Sequence, residues 1–141
     1  MAIDPGKNGC IALKNKFETL TFKIPETPKA IYDFLVEWKT RVRRCLLEKI
    51  VPMAPNPKMV AAFMKLHGHY RELRALLFAA GYAFDEIRPS IWQKEQNCIT
   101  GGNKAISKAR AEALFPDHKV TDWNADALVM ADLQYKKEKM G

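Results

Sequence analysis

Residues 1–15, MAIDPGKNGCIALKN, end a short apolar run on an aspartate, Asp4, and follow it with a Pro-Gly-Lys-Asn-Gly turn. A second apolar run, Cys10 to Leu13, starts at once. The pattern reads as a β-hairpin whose first strand carries an acid into a core. An unpaired buried carboxylate costs several kcal/mol or takes up a proton. Asp4 therefore needs a partner.

The rest of the chain predicts where that strand belongs. ETLTFKIP (18–25) alternates Leu20, Phe22 and Ile24 with Thr19, Thr21 and Lys23, a third strand of an antiparallel meander. TPKAIYDFLVEWKTRVRR (27–44) reads as a helix, with Thr27 as N-cap, Pro28 at its first position and an apolar stripe through Ile31, Phe34, Leu35, Trp38 and Val42. CLLEKIV (45–51) is a short strand, and PMAPNP (52–57), with its three prolines, is a loop.

Lys58 to Ala80 forms a long helical pattern whose seam (Met59, Phe63, Leu66, Tyr70, Leu73, Leu77) predicts a buried face, with Gly81 beyond its end. YAFDEIRP (82–89) is a last strand, and SIWQKEQNCITGGNK (90–104) reads as irregular. ISKARAEALF (106–115) is a short helix, and TDWNADALVMADLQYKKEK (121–139) a terminal helix capped by Thr121 or Asp122. The expected fold is α/β: a single domain over residues 1–141 with a mixed five-stranded sheet, three antiparallel strands then two parallel, flanked by helices.

Two more acids share the predicament of Asp4. Glu48 lies within the apolar strand 45–51, and Asp126 sits among Ala125, Ala127, Leu128 and Val129. One such residue is readily explained by an arginine partner or a turn. Three on well-separated elements point to convergence on a divalent cation, because converging carboxylates repel and hard oxygens suit Mg²⁺ or Mn²⁺. Two such ions could activate a water and stabilise the leaving oxygen of a phosphodiester.

Composition agrees with a polyanionic partner. The chain has a formal net charge of +7 and a pI near 9.4. Arg41, Arg43 and Arg44 form one basic group, and Lys94, Lys104, Lys108 and Arg110 another. The three cysteines are scattered with no CxxC spacing, and the three histidines lack zinc-ligand spacing. No apolar run is long enough to span a membrane and no signal peptide is evident, so the expectation is a soluble, intracellular, cytoplasmic protein.

IDPGKNGCIAL, CLLEKI, RPSIWQK, KARAEALFPD and ADALVMAD, in that order, resemble the RuvC-like Holliday junction resolvases, especially compact phage and prophage-type members of the ribonuclease H-like superfamily. The likeness runs along essentially the whole chain. It implies a metal-dependent endodeoxyribonuclease that nicks four-way junctions in pairs as a homodimer on nucleoid or viral DNA, with no organic cofactor and no membrane. By the same resemblance Asp4, Glu48 and Asp126 are catalytic metal ligands for two Mg²⁺ or Mn²⁺ ions per site.

The family's fourth ligand precedes the last aspartate by one turn. Trp123 stands three residues before Asp126, which leaves Asp122, four before it, as the candidate. Lys94, Lys104 and Lys108 match the region that carries basic residues near the scissile phosphate, Lys104 and Lys108 with a catalytic role. Lys7, near Asp4, is a phosphate-contact candidate, and Arg41, Arg43 and Arg44 are candidates for the DNA backbone. The plainer reading of each is a solvated cation. Val51, Pro52 and Met53 follow the Glu48 strand where some members carry a stacking aromatic, so Met53, Phe63 or Met64 would have to supply any wedge. Trp92 reads as packing beneath the Gly101-Gly102 loop, and His67 and His69 as surface or interface residues.

Three other activities fit parts of the sequence. An RNA nuclease or a general branched-DNA nuclease would keep the chemistry and change the substrate. A non-catalytic nucleic-acid-binding protein would not need the three acids. A nucleotide-binding module of the actin-like type would need a second lobe.

Overall fold

A computed structural model describes residues 1–51 and 56–141. Strands β1 (Ala2–Asp4), β2 (Cys10–Lys14) and β3 (Thr19–Lys23) form the antiparallel meander expected from the alternating residues. Strands β4 (Arg44–Glu48) and β5 (Ala83–Ile87) add in parallel, giving the order β3-β2-β1-β4-β5. Parallel neighbours require crossovers, and these run through α1 (Pro28–Trp38) and α2 (Val60–Ala79). Helices α3 (Pro89–Glu95), α4 (Lys104–Leu114) and α5 (Ala125–Met140) follow the sheet.

Side chains alternate between the two faces of a strand. Ile3, Ile11, Cys45 and Leu47 pack with Ile31 and Leu35 of α1 and Leu73 and Leu77 of α2. Ala2, Cys10, Ala12 and Leu46 pack on the other face with α5. Small residues on both sides of that contact let α5 lie close to the sheet. It is buried without a break from Ala127 to Gln134, as befits a helix covered on more than one side, and α4 lies against it. Parity sends Asp4, two residues after Ala2, and Glu48, two after Leu46, to the α5 face. The parallel register of Ala2 with Leu46 and Ile3 with Leu47 brings the two acids level one step further on.

Thr27 caps α1, its side chain accepting from the Ala30 N–H at 3.1 Å. Gly81 adopts φ +78° just past α2, as a helix stop requires. All three cysteines are free and buried. Among the described residues, no helix is long and apolar enough to cross a membrane.

The structure departs from the sequence expectations in several places: the helix read over 27–44 stops at Trp38, and Arg44 already belongs to β4. The seam of α2 is buried only in its second half: Tyr70, Leu73 and Leu77 are covered, while Met59 is 63% exposed and Phe63 is only half-buried. The core that packs on α2 starts only at Tyr70, so the apolar pattern outlasts its support. A 3₁₀ turn, Pro57–Met59, also precedes the helix proper.

Residues 89–95, read mostly as irregular, form α3, which is too short to display a helical period. The last helix starts at Ala125, not at a Thr121 or Asp122 cap. The Asn124 side chain instead accepts from Thr121 N–H and donates to the Lys119 carbonyl, which shapes a turn before the helix. Trp92 is fully buried and bonded to Glu48 rather than simply packed beneath the glycine loop. Met53 lies outside the described residues.

Candidate functional site

Asp4 ends β1, Glu48 ends β4 and Asp126 is the second residue of α5. The three lie at the same end of the sheet, with Asp126 near enough for its charge to act on the other two. Asp4 and Glu48 stand within reach of a carboxyl–carboxyl hydrogen bond, one that forms only when either of them carries a proton. Burial holds Asp4 well above the ordinary carboxylate range, and the charges of Glu48 and Asp126 push it further up while Lys104 pulls it back. Burial likewise lifts Glu48, to about 7, against the hydrogen bond from Trp92 that favours its ionised form.

The indole N–H of Trp92, on α3, donates to Glu48 Oε2 at 2.8 Å. Glu48 therefore has one oxygen engaged by α3 and its carboxyl group turned toward Asp4. On the other side, the β1–β2 turn is shaped by its glycines. Gly6 has φ +125° and its carbonyl accepts from Gly9 N–H at 2.9 Å. A Cβ on Gly9 would collide with the backbone carbonyl oxygens of Asp4 and Gly6, so only glycine fits. The Gly6 N–H donates to Nδ1 of His69 in α2 at 2.9 Å.

Lys104 is the first residue of α4, behind the Asn103 cap. A cation there opposes the helix dipole, which favours acids at an N-terminus. Its position answers to the acids instead, since its charge acts on both Asp4 and Glu48. Lys108 stands one turn further along, half-buried. Lys94 in the last turn of α3 and Lys7 in the β1–β2 turn are exposed.

Other predicted residues lie apart. Asp122 is exposed in the turn before α5, so the helical spacing that would align it with Asp126 does not apply. Arg44 begins β4, the end opposite Glu48, and pairs with Asp85 at 3.0 Å. Arg41 and Arg43 line a cleft with Met1, Trp38 and Tyr135 at that same far end.

The donors at the site are oxygens alone, which suits a hard divalent cation in charge and chemistry. Among the described residues, no three acidic, histidine or cysteine side chains close around a single point as a finished metal cluster. The fit rests on the Asp4–Glu48 pair, with Asp126 acting on both.

Reasoning from the sequence missed two residues. Trp92 left a weak trace, since it shares a helical face with Gln96, four residues on, in a segment opened by Pro89. His69 left none, because its role depends on where α2 crosses the sheet.

Comparison with solved structures identifies the architecture. The chain matches the "Thermus thermophilus RuvC structure" with a TM-score of 0.61 and 16% identity, covering 99% of this chain and 94% of that one. The chain has the RuvC fold. "T. thermophilus RuvC in complex with Holliday junction substrate" matches with a TM-score of 0.60 and 15% identity, covering 99% and 93%. No protein-family profile and no curated protein sequence matches. The RuvC fold, of the ribonuclease H-like kind, accounts for the β3-β2-β1-β4-β5 sheet with β1 at its centre.

Proposed function

We propose that the chain is a metal-dependent, structure-selective DNA endonuclease that resolves four-way junctions by paired phosphodiester hydrolysis, acting as a homodimer. The observation that carries this reading is the juxtaposition of Asp4 and Glu48, two acids at the ends of adjacent parallel strands in a RuvC fold. The junction-bound RuvC structure supports the choice of substrate. Such an enzyme works inside the cell, on nucleoid or viral DNA.

In this reading Asp4, Glu48 and Asp126 hold Mg²⁺ or Mn²⁺, two ions per site, with Asp122 as a candidate further oxygen. When bound, the ions would polarise a water and offset charge on the phosphodiester. Asp4 and Glu48 hold their oxygens toward each other from two rigid strands, so little reorganisation precedes reaction. Lys104, set against its own helix dipole, meets the charge that grows on the phosphate. Lys7, Lys94 and Lys108 contact neighbouring phosphates, fixing position without reading bases. Arg41, Arg43 and Arg44, at the far end of β4, contact only DNA beyond the scissile site.

Labelled four-way junction, flap, linear duplex and RNA–DNA hybrid, each incubated with Mg²⁺, Mn²⁺ or EDTA, test the proposal. Junction-selective cutting that stops in EDTA is expected. Equal cutting of junction and linear duplex, or cutting in EDTA, would overturn it, and a preference for the hybrid would make the chain an RNA nuclease.

A further inference from the structure

Trp92 has one polar atom, its indole N–H, and that atom is spent on Glu48 Oε2 at 2.8 Å. The indole donates and cannot accept, so it can serve only an acceptor within its reach. Trp92 is fully buried, and Glu48 is 8% exposed. The bond is therefore shielded from competing water.

The helix that carries Trp92 is anchored on both flanks. The Cys98 N–H donates to the Gln93 carbonyl at 2.8 Å. Gln96 Nε2 donates to the Val129 carbonyl and to Asp132, each at 2.9 Å, and Arg110 Nε donates to the Gln96 carbonyl at 2.8 Å. These bonds lock α3 onto α4 and α5, so the indole reaches Glu48 from a fixed position. A phenylalanine would fill part of the same space and supply no donor. Burial alone does not explain the choice of tryptophan.

We propose that Trp92 is a positioning residue of the acidic site: its indole N–H holds the Glu48 carboxylate in the orientation that faces Asp4 and thereby sets the affinity for the divalent ion. This rests on the reading of Asp4, Glu48 and Asp126 as the metal-binding acids. Partners that orient ligating carboxylates typically change metal affinity about 10- to 100-fold when removed.

The test compares the full chain, Trp92→Phe and Glu48→Gln. Ca²⁺ and Mn²⁺ binding are measured by calorimetry, the Mg²⁺ dependence of junction cutting by assay, and the unfolding midpoint in EDTA. Trp92→Phe is expected to bind metal about tenfold more weakly or worse and to need correspondingly more Mg²⁺, while its midpoint in EDTA stays near that of the parent. Parental metal affinity in Trp92→Phe, with binding lost in Glu48→Gln, overturns the role of Trp92 alone. Parental affinity in Glu48→Gln overturns the metal reading itself.

A second measurement needs no change at Trp92. The chain has three tryptophans, and the indole N–H resonance displaced by Glu48→Gln belongs to the bonded one. That resonance should also move when Ca²⁺ is added to the parent chain. Saturating Ca²⁺ that leaves all indole signals in place overturns the proposal, even if Trp92→Phe does not fold.

Discussion

The backbone N–H of Gly6 donates to Nδ1 of His69 at 2.9 Å and ties the turn after Asp4 to the middle of α2. The acceptor nitrogen must be unprotonated. Burial keeps the His69 pKa below its usual 6.5, with Glu72 pulling in the opposite direction. The long crossover helix thus bears directly on the loop that follows the first acid.

His69→Ala leaves the Gly6 N–H without its partner and is expected to lower stability by about 1–2 kcal/mol. Because the folded histidine resists protonation, the unfolded chain binds its proton first as pH falls. Stability from this group therefore rises with pH and is lost below about 6.5. Urea unfolding of parent and variant on either side of that pH should show the parent's acid-side loss and its reduction in His69→Ala.

Asp4→Asn is expected to lower junction cleavage on the order of a thousandfold or more. Binding to the junction in Ca²⁺, followed by gel shift, should survive, because the proposed function assigns the backbone contacts to lysines and not to Asp4. Cleavage at the parental rate would remove Asp4 from the site.

The same substitution should stabilise the metal-free protein. Asp4 is half-buried against Glu48 with Asp126 nearby, and an amide relieves both desolvation and repulsion. A gain of about 1 kcal/mol in EDTA is expected, the signature of a functional site kept at the expense of stability. Saturating Mg²⁺ should raise the unfolding midpoint of the parent and leave that of Asp4→Asn almost unchanged. Scanning calorimetry with and without Mg²⁺ measures both effects.

Asp132 is a buried acid outside the Asp4–Glu48–Asp126 group. Lys14 Nζ lies 2.5 Å and Lys136 Nζ 2.8 Å from its oxygens, and its side chain is 3% exposed. Burial alone would raise its pKa, but hydrogen bonds from Lys136, Lys14 and Gln96 outweigh that and hold it below the usual 3.8. Its stabilisation is present above 3.8 and is lost as pH falls through the lower folded value. Asp132→Ala should cost about 3–5 kcal/mol near neutral pH, because it strands Lys14. The gap to the parent should close in acid, as judged by denaturant unfolding.

Met59 and Met64 are 63% and 66% exposed at the start of α2, beside Val60 at 38%. As part of a homodimer interface these side chains would be covered. Met64→Glu is expected to shift the sedimentation coefficient toward the monomer and to replace paired nicks with single ones. An active dimer that is indifferent to Met64→Glu would move the interface elsewhere.

Local pattern carried much of this structure. The alternation at Leu20, Phe22 and Ile24 showed the third strand, and the Thr27-Pro28 pair marked the start of α1, because strand faces and caps are set by neighbours in sequence. Asp4, Glu48 and Asp126 stood out as acids in apolar surroundings. The start of α5 could not be read, since the Asn124 side chain bonds the backbone of Lys119 and Thr121 and delays the helix past Asp122. The α2 seam looked uniform although only its second half is buried.

The strands, their two faces and the three acids that break the apolar pattern are legible in the residues alone, because side-chain period and turn chemistry act over a few positions. That Asp4 and Glu48 stand side by side is a matter of tertiary structure, since it follows from the parallel register of β1 on β4. The same holds for the partners of these acids. Trp92 reaches Glu48 across 44 residues and His69 reaches Gly6 across 63. A single hydrogen bond between distant elements leaves no periodicity behind, so it appears only once the helices are docked.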